Sequence, residues 1–266
     1  MKKITYVLLA VLIQMLFINT KAYSTDLIPN THYAIVLDSK DNTVLYEKKG
    51  HENIAMASTT KIITSLIALN YCDLNETVTI SKHANSVRGA KVGFSNDEKL
   101  PMRELVYGLM LRSGNDAAIA IAEHIGGSVK GFSKVMNDFS KTIGLIDTNF
   151  ESPHGLDSSM HFSSAYDLAI ASSKAMENKM FNQIVSTKEI TRAESGFSRD
   201  YRNINKILWK IPNANGIKTG YTGQAGKCLV TSVKYEDRNL IIVVLNSPNR
   251  WEDTETLYQH VIKNVI

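Results

Sequence analysis

The stretch Met56-Ala57-Ser58-Thr59-Thr60-Lys61-Ile62-Ile63-Thr64-Ser65-Leu66-Ile67-Ala68-Leu69 carries the most information in the chain. From Thr59 onward its apolar residues, Ile62, Ile63, Leu66, Ile67 and Leu69, surround the axis of a helix instead of forming one stripe. A helix that is apolar all round is buried, so this segment belongs at the centre of a domain. At its start stand a serine and, three residues on, a lysine; i and i+3 share a helix face. A hydroxyl at a helix N-terminus beside an amine has the makings of a nucleophile and its base. The amine serves only if burial or a neighbouring cation keeps it neutral. Taken alone, the pattern is equally an N-cap serine and a solvated lysine.

On the N-terminal side, residues 33–38 and 43–48 are short strand-like runs around the turn-rich Ser39-Lys40-Asp41-Asn42 and read as a hairpin. Going the other way, residues 79–100 are polar, without clear periodicity, and read as surface loops. Pro101 then opens a helix over residues 102–111. A second helix, residues 116–125, ends at Gly126-Gly127, and a third begins at Ser128 and stops near Gly144. Ser164-Ala165-Tyr166-Asp167 matches a capping box ahead of a helix over residues 168–176. After Pro212 the period is that of strands: residues 216–222, 227–235 and 239–245, the last two joined by Glu236-Asp237-Arg238. A closing helix, residues 252–266, presents Leu257, Val261 and Val265 on one face. The expected class is α+β: one antiparallel sheet assembled from both chain ends, flanked by helices, with a helical region over about residues 58–210 inserted between them.

Composition narrows the function. The 266 residues carry 30 Lys and Arg against 26 Asp and Glu, a net charge of +4. Lys2, Lys3 and Lys21 fall in the first 22 residues, which hold no acid, so the remainder has 27 bases against the same 26 acids. Without a basic stripe interleaved with aromatics, no nucleic-acid partner is expected. Cys72 and Cys228 form no C-x-x-C pair and read as ordinary buried thiols, with a single bridge between them left open. Met1-Lys2-Lys3 followed by an apolar run over residues 4–18 and by Thr20 and Ala22 reads as a secretory signal, residues 1–22, cleaved after Ala22 or Ser24. That run is shorter than the roughly 20 residues that span a bilayer, which disfavours a retained anchor. Residues 23–30 are then expected to form a short lead-in, and residues 31–266 the main domain, outside the cytoplasmic membrane.

Two further motifs come after the first in order. Ser113-Gly114-Asn115 lies between two helices, and Lys218-Thr219-Gly220 on an expected strand. With these three, the chain resembles the penicillin-binding serine acyltransferases, whose motifs are S-x-x-K, S-x-N and K-T-G in this order. The longer strings Met56-Ala57-Ser58-Thr59-Thr60-Lys61, Ser113-Gly114-Asn115-Asp116-Ala117-Ala118 and Gly216-Ile217-Lys218-Thr219-Gly220-Tyr221-Thr222 are similar to those of the low-molecular-mass D-alanyl-D-alanine carboxypeptidases. The resemblance runs from Tyr33 to the last helix and includes Pro153-His154-Gly155-Leu156 and residues 161–168, which we read as structural.

The resemblance implies a β-lactamase/transpeptidase-like fold and a role for each motif residue. Ser58 would be the nucleophile and Lys61 its base. Ser113 would relay a proton to the leaving amine, and Asn115 would hold Lys61 and the substrate amide. Lys218 and Thr219 would bind the substrate's terminal carboxylate, and a charged Lys218 near Lys61 would favour a neutral Lys61. Gly220 would leave the strand edge bare for the substrate, while the N–H groups of Ser58 and Tyr221 would form the oxyanion hole. The implied partners are peptidoglycan stem peptides ending in D-Ala-D-Ala and β-lactam antibiotics. No cofactor or metal is implied.

The chain departs from its relatives at Ile204, where some carry Arg, and it ends at Ile266 without the usual β-rich second domain and membrane-lying helix; membrane association is therefore left open. Two rivals remain. A β-lactamase of the same fold normally has E-x-x-L-N and S-D-N, which are absent, and a non-catalytic muropeptide or β-lactam sensor would not need the complete set. The metalloprotease pattern fails because Ala55 follows His51-Glu52 where a histidine is required, and no G-x-S-x-G elbow occurs.

Overall fold

A computed structural model describes residues 26–266, and the expected signal segment lies outside the described residues. In chain order, the hairpin strands β1 (Tyr33–Asp38) and β2 (Val44–Lys48) lead to a single 3-10 turn, Ala57–Thr60, and then to α1 (Lys61–Tyr71). Next come β3 (Thr77–Thr79), α2 (Lys82–Ser86), β4 (Lys99–Pro101), α3 (Met102–Leu111), α4 (Asn115–Gly126), α5 (Val129–Thr142), α6 (Ala165–Glu177) and α7 (Lys179–Ser186). The short pieces β5 (Glu189–Ile190), α8 (Arg192–Ser195), β6 (Tyr201–Arg202) and α9 (Ile207–Lys210) lead back to the sheet. There β7 (Ala214–Thr222), β8 (Gly226–Tyr235) and β9 (Arg238–Leu245) are followed by α10 (Arg250–Asn264).

The main sheet has five strands in the order β2-β1-β9-β8-β7. Each neighbouring pair runs antiparallel, and β1 from the N-terminal side pairs with β9 from the C-terminal side, Ala34 opposite Val244 and Val36 opposite Ile242. The period-2 alternation of its strands sends side chains to two apolar faces. Ala34, Val36, Leu229, Val233, Ile242 and Val244 pack against Leu257 and Val261 of α10. On the other face Ile35, Leu37, Val230, Ile241 and Val243 join the larger core built by the inserted helices. The molecule is thus three layers, and α1 is buried in the thickest of them: every residue from Lys61 to Ala68 is buried.

Several expectations need correction. The stretch 79–100 is not all loop: β3 and β4 pair, Ser81 caps α2 through the Ala84 N–H at 2.9 Å, and Ile80, Phe94 and Leu100 are buried. Elements of three to five residues are too short to show a period. Ser164 does cap α6 through the Asp167 N–H, but Asp167 does not complete the box. Its carboxylate instead accepts from the Asp147 N–H and the Thr148 hydroxyl, tying the preceding loop to the helix. Val265 lies just past the end of α10 and is exposed. Both cysteines are free; Cys228 is buried, with burial pushing its thiol up to about 11, while Cys72 is half-buried at the end of α1. No helix among the described residues is long and apolar enough to cross a membrane.

Candidate active site

The 3-10 turn that carries Ser58 is held in an awkward conformation by its neighbours. Ala57 has φ +50°, and its carbonyl accepts the Thr60 hydroxyl at 2.8 Å. Beneath it, Gly155 at φ +86° comes so near that a Cβ there would lie 1.9 Å from the Ala57 oxygen. His161 Nδ1 accepts the Glu151 N–H at 3.0 Å, so its proton is on Nε2, which donates to Thr60 Oγ1 at 2.9 Å. The turn therefore presents Ser58 half-buried at the head of α1, where backbone N–H groups lack intrahelical acceptors.

One turn on, the Lys61 side chain is wholly buried. Its Nζ lies 2.9 Å from Ser58 Oγ, 2.8 Å from Asn115 Oδ1 and 2.7 Å from the His154 carbonyl. Two of these neighbours only accept. A neutral amine has two N–H bonds and one lone pair, which matches two carbonyl oxygens and one hydroxyl donor. Burial holds Lys61 well below the ordinary lysine value, the charge of Lys218 adds to this, and Asp116 opposes it. The charge argument drawn from sequence thus has the right sign, but desolvation is the larger cause.

Asn115 reaches Lys61 because it opens α4 two residues after Ser113, a non-glycine residue at φ +61° that turns the chain between α3 and α4. Asn115 Nδ2 donates to the Arg88 carbonyl at 2.7 Å, and its backbone N–H to Ala90. The buried Asp116 collects the N–H groups of Val92, Gly93 and Phe94 at 3.0, 2.8 and 3.3 Å. The segment read as a surface loop is consequently a wall of the site.

The third motif lies on β7, the open edge of the sheet. Gly220 passes so close to the serine turn that a Cβ on it would sit 3.1 Å from the Met56 oxygen and 3.2 Å from the Ser58 nitrogen. Lys218 is buried with Nζ on the Thr219 carbonyl at 3.0 Å, and burial, then the charge of Arg250, pushes it down to about 7. Tyr221, by contrast, is exposed. Ser58, Ser113, Thr219, Gly220 and Tyr221 line one cavity of about 400 Å³ together with Gly89, Ala90, Ile204 and Arg250. Every residue singled out by sequence is thus in or directly behind this cavity.

Sequence reasoning missed two contributors. Arg250, at the start of α10, donates through Nη1 to the carbonyls of Gly220 and Cys228 at 2.7 and 3.1 Å and places a guanidinium at the cavity. A single arginine thirty residues past the last motif gives no local signal. The His154 carbonyl was also overlooked, though its Pro-His-Gly turn was noted as a family feature. His154 itself is half-buried; desolvation, more than the charge of Lys61, pushes its imidazole down to about 3, and its Nδ1 accepts the Leu156 N–H.

A serine hydroxyl next to a desolvated amine, with a bare strand edge alongside, defines the class of active-serine acyl-transfer sites. Comparison with known proteins narrows this. Residues 20–249 match the D-alanyl-D-alanine carboxypeptidase family of peptidases, and the chain belongs to that family. It is 34% identical to the D-alanyl-D-alanine carboxypeptidase DacF of Bacillus subtilis over 80% of this chain, and spans 57% of that relative's length. Among solved structures, a D-alanyl-D-alanine carboxypeptidase from Mycobacterium tuberculosis superposes with TM-score 0.82 at 30% identity, covering 90% of this chain and 93% of the other. The Streptomyces K15 DD-transpeptidase superposes with TM-score 0.82 at 29% identity, over 88% of this chain and 97% of that one. The α+β class expected from sequence is the class of these neighbours.

Proposed function

We propose that this chain is an exported serine D-alanyl-D-alanine carboxypeptidase that removes the terminal D-alanine from peptidoglycan stem peptides and is acylated by penicillins at the same serine. The observation that carries the reading is the Lys61 amine, buried 2.9 Å from Ser58 Oγ with its N–H groups taken by Asn115 and His154. Ser58 Oγ attacks the penultimate D-alanyl carbonyl carbon while its proton passes to Lys61 Nζ. The oxyanion sits between the Ser58 and Tyr221 N–H groups. The C–N bond then breaks, and Ser113 passes a proton to the departing nitrogen, restoring neutral Lys61. Water attacks the ester by the same route in reverse and frees Ser58.

Lys218, Thr219 and Arg250 supply the positive and hydroxyl partners for the terminal carboxylate, and the second Nδ2 proton of Asn115 is available to the substrate amide. Gly220 keeps the β7 edge free, so the substrate lies on it as an added strand.

Mass spectrometry with a penicillin and, separately, with a D-Ala-D-Ala peptide tests this. The expected result is a one-to-one penicilloyl adduct on Ser58, absent in Ser58→Ala, and many turnovers of D-alanine release. Rapid penicillin turnover without D-alanine would make the protein a β-lactamase, and neither reaction a sensor. Export is tested separately: the mature protein recovered outside the cytoplasmic membrane should begin at Tyr23 or Thr25.

A further inference from the structure

The two helices α1 and α4 come together at both of their ends. At the N-terminal ends Lys61 Nζ lies 2.8 Å from Asn115 Oδ1, inside the active site. At the opposite ends stand Cys72, the C-cap of α1, and His124 in the last turn of α4. At about 1.5 Å per residue these lie about 16 Å beyond Lys61 and about 14 Å beyond Asn115, so this second junction is remote from the reacting groups. Glu76, from the loop between α1 and β3, joins it. His124 Nε2 is 2.9 Å from Glu76 Oε2, and the sulfur, carboxylate oxygen and ring nitrogen of Cys72, Glu76 and His124 all lie within 4.8 Å of one another.

The backbone of each donor is held by bonds outside the cluster. The Cys72 N–H donates to the Ala68 carbonyl at 3.1 Å and closes the last turn of α1. The Glu76 N–H donates to the Asp73 carbonyl at 3.0 Å, while the Glu76 carbonyl accepts the Met102 N–H and the Leu74 carbonyl the Arg103 N–H, both at 2.8 Å. Leu74 packs against the main core, so the loop is anchored between α1 and α3. Three donors from separate segments are thus brought together by the fold. An ordinary ion pair accounts for Glu76 beside His124, but gives no reason for a thiol next to them. Cys72 is free and half-buried, and Glu76 and His124 are exposed, so an ion can enter from solvent.

Sulfur, imidazole nitrogen and carboxylate oxygen are the donor types that zinc takes, whereas calcium and magnesium call for oxygen alone. Around a tetrahedral zinc ion such donors stand about 3.3–3.6 Å apart, so side-chain rotations that move the donor atoms by about 1 Å complete the arrangement. Three protein ligands leave a fourth position for water.

We propose that Cys72, Glu76 and His124 bind one divalent cation of the zinc class, which ties the far end of α1 to the far end of α4. Cys72 coordinates as the thiolate and releases its proton to solvent; His124 coordinates through Nε2 with its own proton on Nδ1; Glu76 coordinates through a carboxylate oxygen. The ion stabilises the pairing of the two helices from the end opposite Ser58. The inference stands whatever reaction Ser58 performs.

The test titrates the purified chain, kept reduced with a phosphine, with cobalt(II) and zinc(II). One cobalt should bind per chain with a thiolate-to-cobalt charge-transfer band in the near ultraviolet, and zinc, the tighter binder of the two, should abolish the band. Zinc at about a hundred times its dissociation constant should raise the melting temperature by about 5 °C, and magnesium at the same concentration should leave it unchanged. Under that zinc excess only about 1% of the protein is metal-free, so alkylation of Cys72, read by peptide mass spectrometry, should slow at least about tenfold. Cys72→Ser should remove the cobalt band. Glu76→Ala and His124→Ala should each weaken zinc at least about tenfold, the loss typical when even an outer partner of a ligand is removed. Melting temperatures close to that of the metal-free unaltered protein check that the variants fold. The absence of a thiolate band, a band that survives Cys72→Ser, alkylation that zinc does not slow, or a zinc-induced rise in melting temperature equal in all three variants overturns the site.

Discussion

On the proposed carboxypeptidase reading, Lys61 acts as a base through what surrounds its amine. Desolvation and the charge of Lys218 both disfavour the ammonium form, and in the neutral form two carbonyl oxygens would take the N–H groups and leave the lone pair for Ser58 Oγ at 2.9 Å. Arginine at this position would keep the charge and lose the base, so Lys61→Arg should lower the penicillin acylation rate by about 10² to 10⁴, the usual loss when a general base is removed. Stopped-flow acylation kinetics measure it, and a rate near that of the unaltered protein would mean another group takes the proton. Lys218→Gln tests the neighbour. Removing its charge raises the pKa of Lys61, so the acid limb of the acylation rate against pH should move to higher pH. The same substitution should slow a penicillin more than its methyl ester, which has no carboxylate to bind. An acid limb that stays in place would mean that burial alone sets the Lys61 pKa.

At the scale of elements, the site is a junction of three chain segments whose spacing is enforced by close backbone contacts. Gly155 permits the serine turn to rest on the loop beneath it, and Gly155→Ala would force a Cβ into the Ala57 carbonyl at a positive φ. The cost should be about 3 kcal/mol or more in unfolding free energy, by denaturant titration. Asp116 plays the corresponding part for the opposite wall. Sitting in the first turn of α4, it faces the favourable end of the helix dipole and satisfies three N–H groups of the loop at residues 92–94. Asp116→Ala should destabilise the protein by about 3 kcal/mol, since orphaned donors cost about 1–3 kcal/mol each where water does not replace the acceptor. Protease cleavage near Gly93 should rise in parallel. Full protection of that loop in the variant would show that the carboxylate is not what holds it.

Across the whole molecule, the sheet is the frame, and two desolvated histidines should weaken it in acid. His161 and His154 are held neutral by burial, at about 4 and about 3. Both values lie below that of an unfolded histidine, so as pH falls through 6.5 the unfolded chain takes up protons first. Stability should therefore fall from about pH 6.5 to about pH 4 through His161 and to about pH 3 through His154, by up to about 1.4 kcal/mol per pH unit for each group. His161→Gln should flatten this slope by one group's share when unfolding free energy is measured across the window. An unchanged slope would show that His161 is not desolvated as its position requires.

Much of this was legible in the sequence because it is written locally. The all-round apolarity of residues 62–69 placed α1 in the core, the alternating strands after Pro212 placed the sheet, and Ser58, Lys61, Ser113, Asn115 and Lys218 stood out through the resemblance of their three ordered motifs to a known family, the Ser58–Lys61 spacing alone being a weak sign. Other features depend on residues far apart in the chain. Glycine at 220 was read as a bare edge, but its lack of room for a side chain, a Cβ falling 3.2 Å from the Ser58 nitrogen, depends on how β7 packs on the serine turn. The wall at residues 88–94, Arg250 at the cavity and the His154 carbonyl on Lys61 owe their roles to contacts between segments tens of residues apart or more, for which no period or motif exists. Sequence determined which side chains could react and which segments must be buried. Tertiary structure decided their protonation and reach, because desolvation, the charge of a neighbour and an orienting carbonyl exist only once distant segments pack together.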